Sequence, residues 1–584
     1  MRLMLAVGAT AALALTACSS GHSAGGSSGG GGTSDQATVQ NWSMGTADDS
    51  KGPAPAISGA KAGGTAYDLE QNGFDYLDPG QVYVNVFQQV AMLYNRSLTN
   101  YKILPNGKVI LVGDLATDTG KSSDGGKTWT WTLKSGLKFQ DGTPITSADV
   151  KYGIERLYAP FETQGPTYFQ SWLSGDNFHK VYPGPYGGKS LPDSVISTPD
   201  SKTIVFHFQK AHPDAPFAAS MANVGAIEKS KDTKTAYNNN PNSDGPYQVQ
   251  SYSPGKSLVL VKNPNWDAST DPVRHQYPDK WIFQLGLQSQ PLTARLMAEQ
   301  GNDKDALTMS TPPDASQVPQ LMSAQYASRR VSTYQPFVEV MDINTTRITN
   351  VDVRKAIAYA LPVGQIQQLY GGSSQLAAGS TLISPTIKDW QKFDPFGKTG
   401  KPMGDPAMAK QLLAQAGQPH PHINYAYGNT PRNQKISVAV ANALKAAGFS
   451  VTTTPLDPTS YYTLIGHPNN QFDLYRSGWG ADWPVASTVI PPTLDGRTIG
   501  EGSPNYSHYN SSATNAEIDR INAETNEDQA AKDWVKLSEQ ILQNDVPQVP
   551  YGYDVLTQIY GSGLGGVRAD QVLGTFDLTS VYVK

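Results

Sequence analysis

One cysteine in 584 residues, Cys18, sets the first limit on what this chain can fold into. A lone thiol closes no internal disulfide and builds no cysteine-rich metal site, so packing and hydrogen bonding must hold the body together. At this length one core is not enough, because single cores stop growing near about 250–300 residues. Hydrophobic residues make up 38% and charged residues 16%, the balance of a globular chain rather than a disordered one. The formal net charge is −5, with 45 Lys and Arg against 50 Asp and Glu and no basic run. That excludes the clustered cationic surface that nucleic-acid binding needs. The 29 Tyr and 10 Trp suit a cavity lined by rigid, amphipathic rings, although many of these rings must be core.

The position of the cysteine explains it. Met1-Arg2 is a short positive start, and residues 3–14 form an apolar run well below the roughly 20 residues that span a membrane. The run ends in Leu15-Thr16-Ala17-Cys18, a large apolar residue, two small ones and a thiol. This resembles the bacterial lipobox, in which the cysteine receives a diacylglycerol and becomes the mature N-terminus; an ordinary secretory leader with a chance cysteine is the plainer alternative. The expectation is a leader over residues 1–17 and a lipidated, flexible Gly/Ser- and Pro-rich tether over 18–64, with order beginning near Thr65. A tether of this kind serves a body working just outside a membrane.

Beyond the tether, helical and strand patterns alternate and no repeat of 20–50 residues is evident. Residues 147–157 open with Ser and Asp before apolar positions at helical spacing. Residues 202–209 and 257–262 alternate as strands. Helical patterns over 351–361, 406–417, 434–448 and 530–543, with strands at 450–455 and 549–560, give the helix–Gly–strand succession of an α/β layer. Nine scattered histidines show no metal-ligand spacing. The Gly-x-Ser-x-Gly matches fall in the tether, where no nucleophile elbow can form. No catalytic constellation or cofactor loop stands out, so no enzyme activity and no cofactor are expected.

Six ordered motifs then carry a resemblance. They are Phe74-Asp75-Tyr76-Leu77-Asp78-Pro79; residues 129–156; Asp244-Gly245-Pro246-Tyr247 with 258–266; 341–361 with Asn344 and Val353-Arg354-Lys355-Ala356; Phe472-Asp473 with Gly478-Trp479-Gly480-Ala481-Asp482; and 546–553. Together they resemble the family 5 extracellular solute-binding proteins, the dipeptide, oligopeptide and nickel binders of ABC importers. The resemblance implies a two-lobed periplasmic-binding-protein-like α/β fold with a hinge and an extra inserted domain. Carried over, lobe I combines 65–100, 228–334 and 550–584, the insertion is 101–227, and lobe II is 335–549, with hinge crossings near 334 and 549. It also implies a monomer, with a peptide as ligand, permease subunits as partners and an extracytoplasmic, lipid-anchored location. Within the long signature, Asp141-Gly142-Thr143-Pro144 and Asp149 read as a turn and a helix start, not as a site.

A peptide presents an ammonium and a carboxylate, and enclosing either requires an opposite charge. Asp482 stands where the resembling proteins place the acid that receives the ligand ammonium; a turn or cap Asp is the structural alternative. Arg476 matches a position that meets the ligand carboxylate in some oligopeptide binders, an internal ion pair or an exposed Arg being the other readings. Trp479 is expected to line the pocket or to fill core. Tyr83 and Val84 follow the Leu77-Asp78-Pro79 turn in a region that contacts the ligand backbone. Arg432 and Asn433 lie near a position that meets a peptide C-terminus, with a solvated loop as the alternative. The chain departs from the family at Trp483-Pro484-Val485-Ala486 and at Ala360-Leu361-Pro362. The same fold also serves oligosaccharides and other solutes, and a surface adhesion module is the rival of another class.

Overall fold

The computed structural model describes residues 42–584, so Cys18, the leader and the glycine-rich run lie outside the described residues. The elements anticipated from periodicity are present. Ser147–Arg156, Val351–Ala360, Pro406–Gln415, Pro431–Ala446 and Glu527–Asn544 are helices; Thr203–His207, Ser257–Lys262, Ser450–Leu456 and Gln548–Ile559 are strands. Their local causes are on view. The Asp149 carboxylate accepts from the Thr146 N–H at 2.8 Å and from its hydroxyl at 2.7 Å, closing a capping box at the start of the Ser147–Arg156 helix. Gly448, at φ +104°, turns the chain out of the Pro431–Ala446 helix and into the strand that follows.

Two sheets organise the molecule. The first has five strands in the order Ala306–Leu307, Thr65–Leu69, Lys280–Gln284, Ser257–Lys262, Tyr247–Ser253. The second has six: Leu376–Ala378, Gln548–Ile559, Arg330–Ile343, Leu474–Gly480, His422–Gly428, Ser450–Leu456. Segment 101–227 contributes a four-stranded sheet in which Thr128–Thr132 alternates, burying Trp129 and Trp131 between threonines. The fold is therefore mixed α/β with two lobes.

The two longest strands lie side by side in the six-stranded sheet. Arg330–Ile343 and Gln548–Ile559 pair antiparallel from Arg330 opposite Ile559 to Asp342 opposite Gln548. Their register breaks between Tyr334 and Val338, a stretch that contains Pro336. At one end Ile559 packs with Leu292, Leu296 and Tyr326. At the other the Arg330–Ile343 strand joins Leu474–Gly480.

A buried ion cluster ties the Ser147–Arg156 helix to the segments around Asp78 and Asp232. Arg156 donates to Asp78 at 2.8 and 2.5 Å, to Asp232 at 3.2 Å, and also pairs with Glu162. Removing one member of such a cluster leaves an uncompensated buried charge, at about 3–5 kcal/mol. The Asp of the Leu77-Asp78-Pro79 motif is thus a structural clamp.

Order starts earlier than the sequence led us to expect. Trp42–Met44 is a strand parallel to Val109–Gly113, and Trp42 meets Phe217 edge-on at 5.2 Å. The polar, Pro- and Gly-rich composition of residues 35–64 hid this, because one buried Trp anchors a stretch with little other apolar content.

Candidate functional site

The Leu474–Gly480 strand is paired on one side along its whole length, Ile343 to Phe337 facing Leu474 to Gly480. On the other side it pairs only at Leu474 and Tyr475, with Tyr425 and Ala426. From Arg476 to Gly480 that second edge pairs with no strand among the described residues. Small residues keep it narrow: a Cβ on Gly480 would stand 2.4 Å from the Phe337 ring. The strand delivers its chain directly to Asp482.

Asp482 is where separate parts of the chain converge. Its carboxylate accepts from the Tyr83 hydroxyl at 3.0 Å and from the Tyr168 hydroxyl in a short contact. Tyr83 precedes the Asn85–Ala91 helix, Tyr168 opens the Tyr168–Ser174 helix and Asp482 follows the Leu474–Gly480 strand. Asp482 lines a small cavity of about 30 Å³, room for a water or two. Gln88, Asn95 and a second carboxylate, Asp570, line the same cavity.

Burial pushes the Asp482 carboxyl up to about 6, partly offset by hydrogen bonds from Tyr168 and Tyr83. Among the described residues no cation takes part in that balance. Burial, with Asp577 nearby, pushes Asp570 up to about 7, against the N–H groups of Leu573 and Val572. Asp482 and Asp570, 88 residues apart in sequence, therefore line one small cavity together with apolar residues such as Met92 and Val572. A cation with N–H donors placed at Asp482 would compensate its buried charge.

The remaining sequence-derived residues divide. The Trp479 indole N–H donates to the Thr488 carbonyl at 2.7 Å, and the Thr488 hydroxyl accepts from the Asp482 N–H at 3.2 Å, so Thr488 ties Trp479 and Asp482 into one loop. Val84 precedes the Asn85–Ala91 helix and is 56% exposed, beside Tyr83 but turned to the surface. Arg476 does not join Asp482. It pairs bidentately with Glu339 at 2.7 Å and donates to the Tyr551 hydroxyl at 2.5 Å and to Asn433 at 3.3 Å. Arg432 stands over the Tyr370 ring at 4.8 Å, next to that group. Trp479 lies three positions after Arg476, an odd offset that puts the two on opposite faces of the strand.

Sequence reasoning missed Tyr168 and Asp570. Neither lies in a distinctive motif, and their roles exist only because distant segments meet at Asp482. Among the described residues there is no cluster of His, Cys, Asp and Glu fit for a metal ion, and no helix long and apolar enough to cross a membrane.

Comparison with known proteins places the chain. The family model described as bacterial extracellular solute-binding proteins, family 5 middle, matches residues 111–501. The probable D,D-dipeptide-binding periplasmic protein DdpA of Escherichia coli K12 is 25% identical over 424 residues, 70% of this chain and 73% of its own. The periplasmic oligopeptide-binding protein OppA of Salmonella typhimurium is 24% identical over 493 residues, 78% of this chain and 81% of its own. Among solved structures, the clavulanic acid biosynthesis oligopeptide binding protein 2 is similar with a TM-score of 0.82 and 27% identity, covering 92% of this chain and 100% of that one. On the family match over most of its length, the chain belongs to the bacterial extracellular solute-binding proteins of family 5.

Proposed function

We propose that this protein captures small peptides outside the cytoplasmic membrane and hands them to an ABC importer, without catalysing a reaction on them. One observation carries the reading. A buried carboxylate, Asp482, lines a small cavity and is met by two tyrosine donors, with no cation among the described residues in its balance. An α-ammonium fits that space in size and charge. The open edge of Arg476–Gly480 beside it suits an extended backbone, which binds by adding a strand. The names of relatives point the same way, since DdpA and OppA are called dipeptide- and oligopeptide-binding proteins.

In this reading Asp482 receives the ligand ammonium, Tyr83 and Tyr168 hold its carboxylate, and Trp479 fixes the loop that presents it. Lobe I and the inserted domain act as one body, joined through Arg156, while lobe II closes on it about the register break at Tyr334–Val338. Arg476 holds the strand rather than the ligand. The anchor is proposed from Cys18 and its flanking residues alone; labelling with radioactive palmitate, lost in Cys18→Ala, tests it.

Calorimetry of the delipidated protein against a library of dipeptides to hexapeptides tests the function. Binding by one or more length classes is expected. Tight binding of cello- or xylo-oligosaccharides with no response to any peptide overturns it.

A further inference from the structure

After the Leu474–Gly480 strand the chain bends through Trp483-Pro484-Val485 into the short helical turn Ala486–Thr488. Thr488 closes this bend from inside and is 1% exposed. Its hydroxyl accepts from the Asp482 N–H at 3.2 Å. The hydroxyl proton is shared between the carbonyls of Val485 at 3.2 Å and Trp483 at 3.4 Å. The Thr488 carbonyl accepts from the Trp479 indole N–H at 2.7 Å. Thr488 therefore ties the two arms of the bend to each other and to the strand that leads into it. A β-branched side chain, stiff at χ1, suits that task.

The other contacts of the bend do different work. The Ala481 N–H donates to the Pro336 carbonyl at 3.1 Å, and the Lys388 N–H donates to the Pro484 carbonyl at 3.0 Å. They fix the backbone on either side of Asp482, whereas the Asp482 N–H has the Thr488 hydroxyl as its acceptor. Tyr83 and Tyr168 hold the carboxylate, but they lie 399 and 314 residues away in sequence. Their bonds last only while those distant segments stay together. Thr488 is six residues from Asp482 and travels with it.

We propose that Thr488 is a positioning residue for the ligand ammonium, its hydroxyl fixing the backbone at Asp482 before any ligand arrives. Binding then avoids the entropic cost of ordering the turn. The role needs a hydroxyl at this position, so serine preserves it and valine, which keeps the branched shape, does not. This inference rests on the reading of Asp482 as the ammonium acceptor.

Calorimetry on the full chain compares Ala-Ala-Ala with its N-acetylated form. Acetylation is expected to cost wild-type protein about 30-fold or more in affinity and Thr488→Val less than about five-fold, the difference lying in weaker binding of the free peptide. Thr488→Ser should match wild-type affinity for both peptides within about three-fold. Thr488→Ala takes the place of Thr488→Val if the valine variant does not fold. Wild-type discrimination in a folded Thr488→Val, or Thr488→Ser behaving like Thr488→Val, overturns the proposal and leaves the Asp482 reading standing. Equal wild-type affinity for the two peptides contradicts the Asp482 reading instead. In that case, or if neither peptide binds, a ligand-free measurement decides Thr488. Asp482→Asn is introduced into wild-type and Thr488→Val protein, and the rise in melting temperature at pH 7.5 is compared. A turn held by Thr488 keeps the carboxylate buried, so the rise should fall by more than half in the Thr488→Val background. An equal rise in both backgrounds overturns the positioning role.

Discussion

At the scale of single residues, the account turns on the environment of Asp482. A carboxylate moved from water into a site with two hydroxyl donors and no cation loses more hydration than it regains. Its folded pKa of about 6 lies above the ordinary 3.8, so the ligand-free protein is most stable with this group protonated. That contribution is full below about pH 4 and is lost as pH rises through 6. Asp482→Asn should therefore raise the melting temperature of the ligand-free protein at pH 7.5, by the equivalent of about 1–3 kcal/mol, and change it little near pH 4. Thermal unfolding at the two pH values checks this; destabilisation at pH 7.5 would mean the carboxylate is a structural cap. Peptide affinity follows the opposite course. It needs the ionised form, and should fall about ten-fold between pH 7.5 and pH 5 as Asp482 takes up its proton. Calorimetry across that range gives the profile.

At the scale of elements, the Leu474–Gly480 strand is held and exposed at once. Arg476 helps to secure it, with Glu339 on the neighbouring strand and Tyr551 on the next, beside the Ser477 hydroxyl on Asp342. Removing Arg476 strands a largely buried Glu339, a loss of about 3 kcal/mol or more. Arg476→Ala should thus lower the unfolding midpoint strongly, while protein that remains folded keeps the wild-type preference between free and C-terminally amidated peptides. A selective loss of carboxylate-bearing ligands would instead make Arg476 a ligand contact. The capping box gives a smaller and purely structural effect: Thr146→Ala should cost about 0.5–2 kcal/mol in denaturant unfolding and leave ligand affinity unchanged. Elements of this kind were legible in the sequence because their causes are local. Helical spacing, the Thr146 to Asp149 cap and the glycine after residues 434–447 each act within a few residues. The strand face of Arg476 was legible too, in principle, since alternation alone sets it opposite Trp479. What alternation does not reveal is the partner, because Glu339 lies 137 residues away in sequence.

At the scale of the whole molecule, the site exists only where three bodies of chain meet. Asp482 was recognisable from its Gly-Trp-Gly-Ala-Asp setting, but Tyr168 is 314 residues from it in sequence and one of 29 tyrosines. No local pattern marks it. Asp570 is equally plain, and the position of both depends on contacts between segments far apart in sequence. The early strand at Trp42–Met44 was missed for a related reason, its stability coming from Val109–Gly113 and Phe217 rather than from its own neighbours. Closure also supplies a prediction. Tyr83 and Tyr168 bond Asp482 across the cleft, so Tyr83→Phe/Tyr168→Phe should populate a more open ligand-free form, seen as a larger radius of gyration in solution scattering. Addition of peptide should restore the compact value. An unchanged radius would mean that other contacts hold the lobes together.

The central claim, that a ligand ammonium completes the site at Asp482, is tested most directly by one paired titration. The wild-type protein and Asp482→Asn are each titrated with a binding tripeptide and with its N-acetylated form. Acetylation removes the ammonium and should cost wild-type protein about 30-fold or more in affinity, and Asp482→Asn far less, the two losses being one interaction removed from either side. Equal affinity of wild-type protein for the free and acetylated peptides would contradict the account.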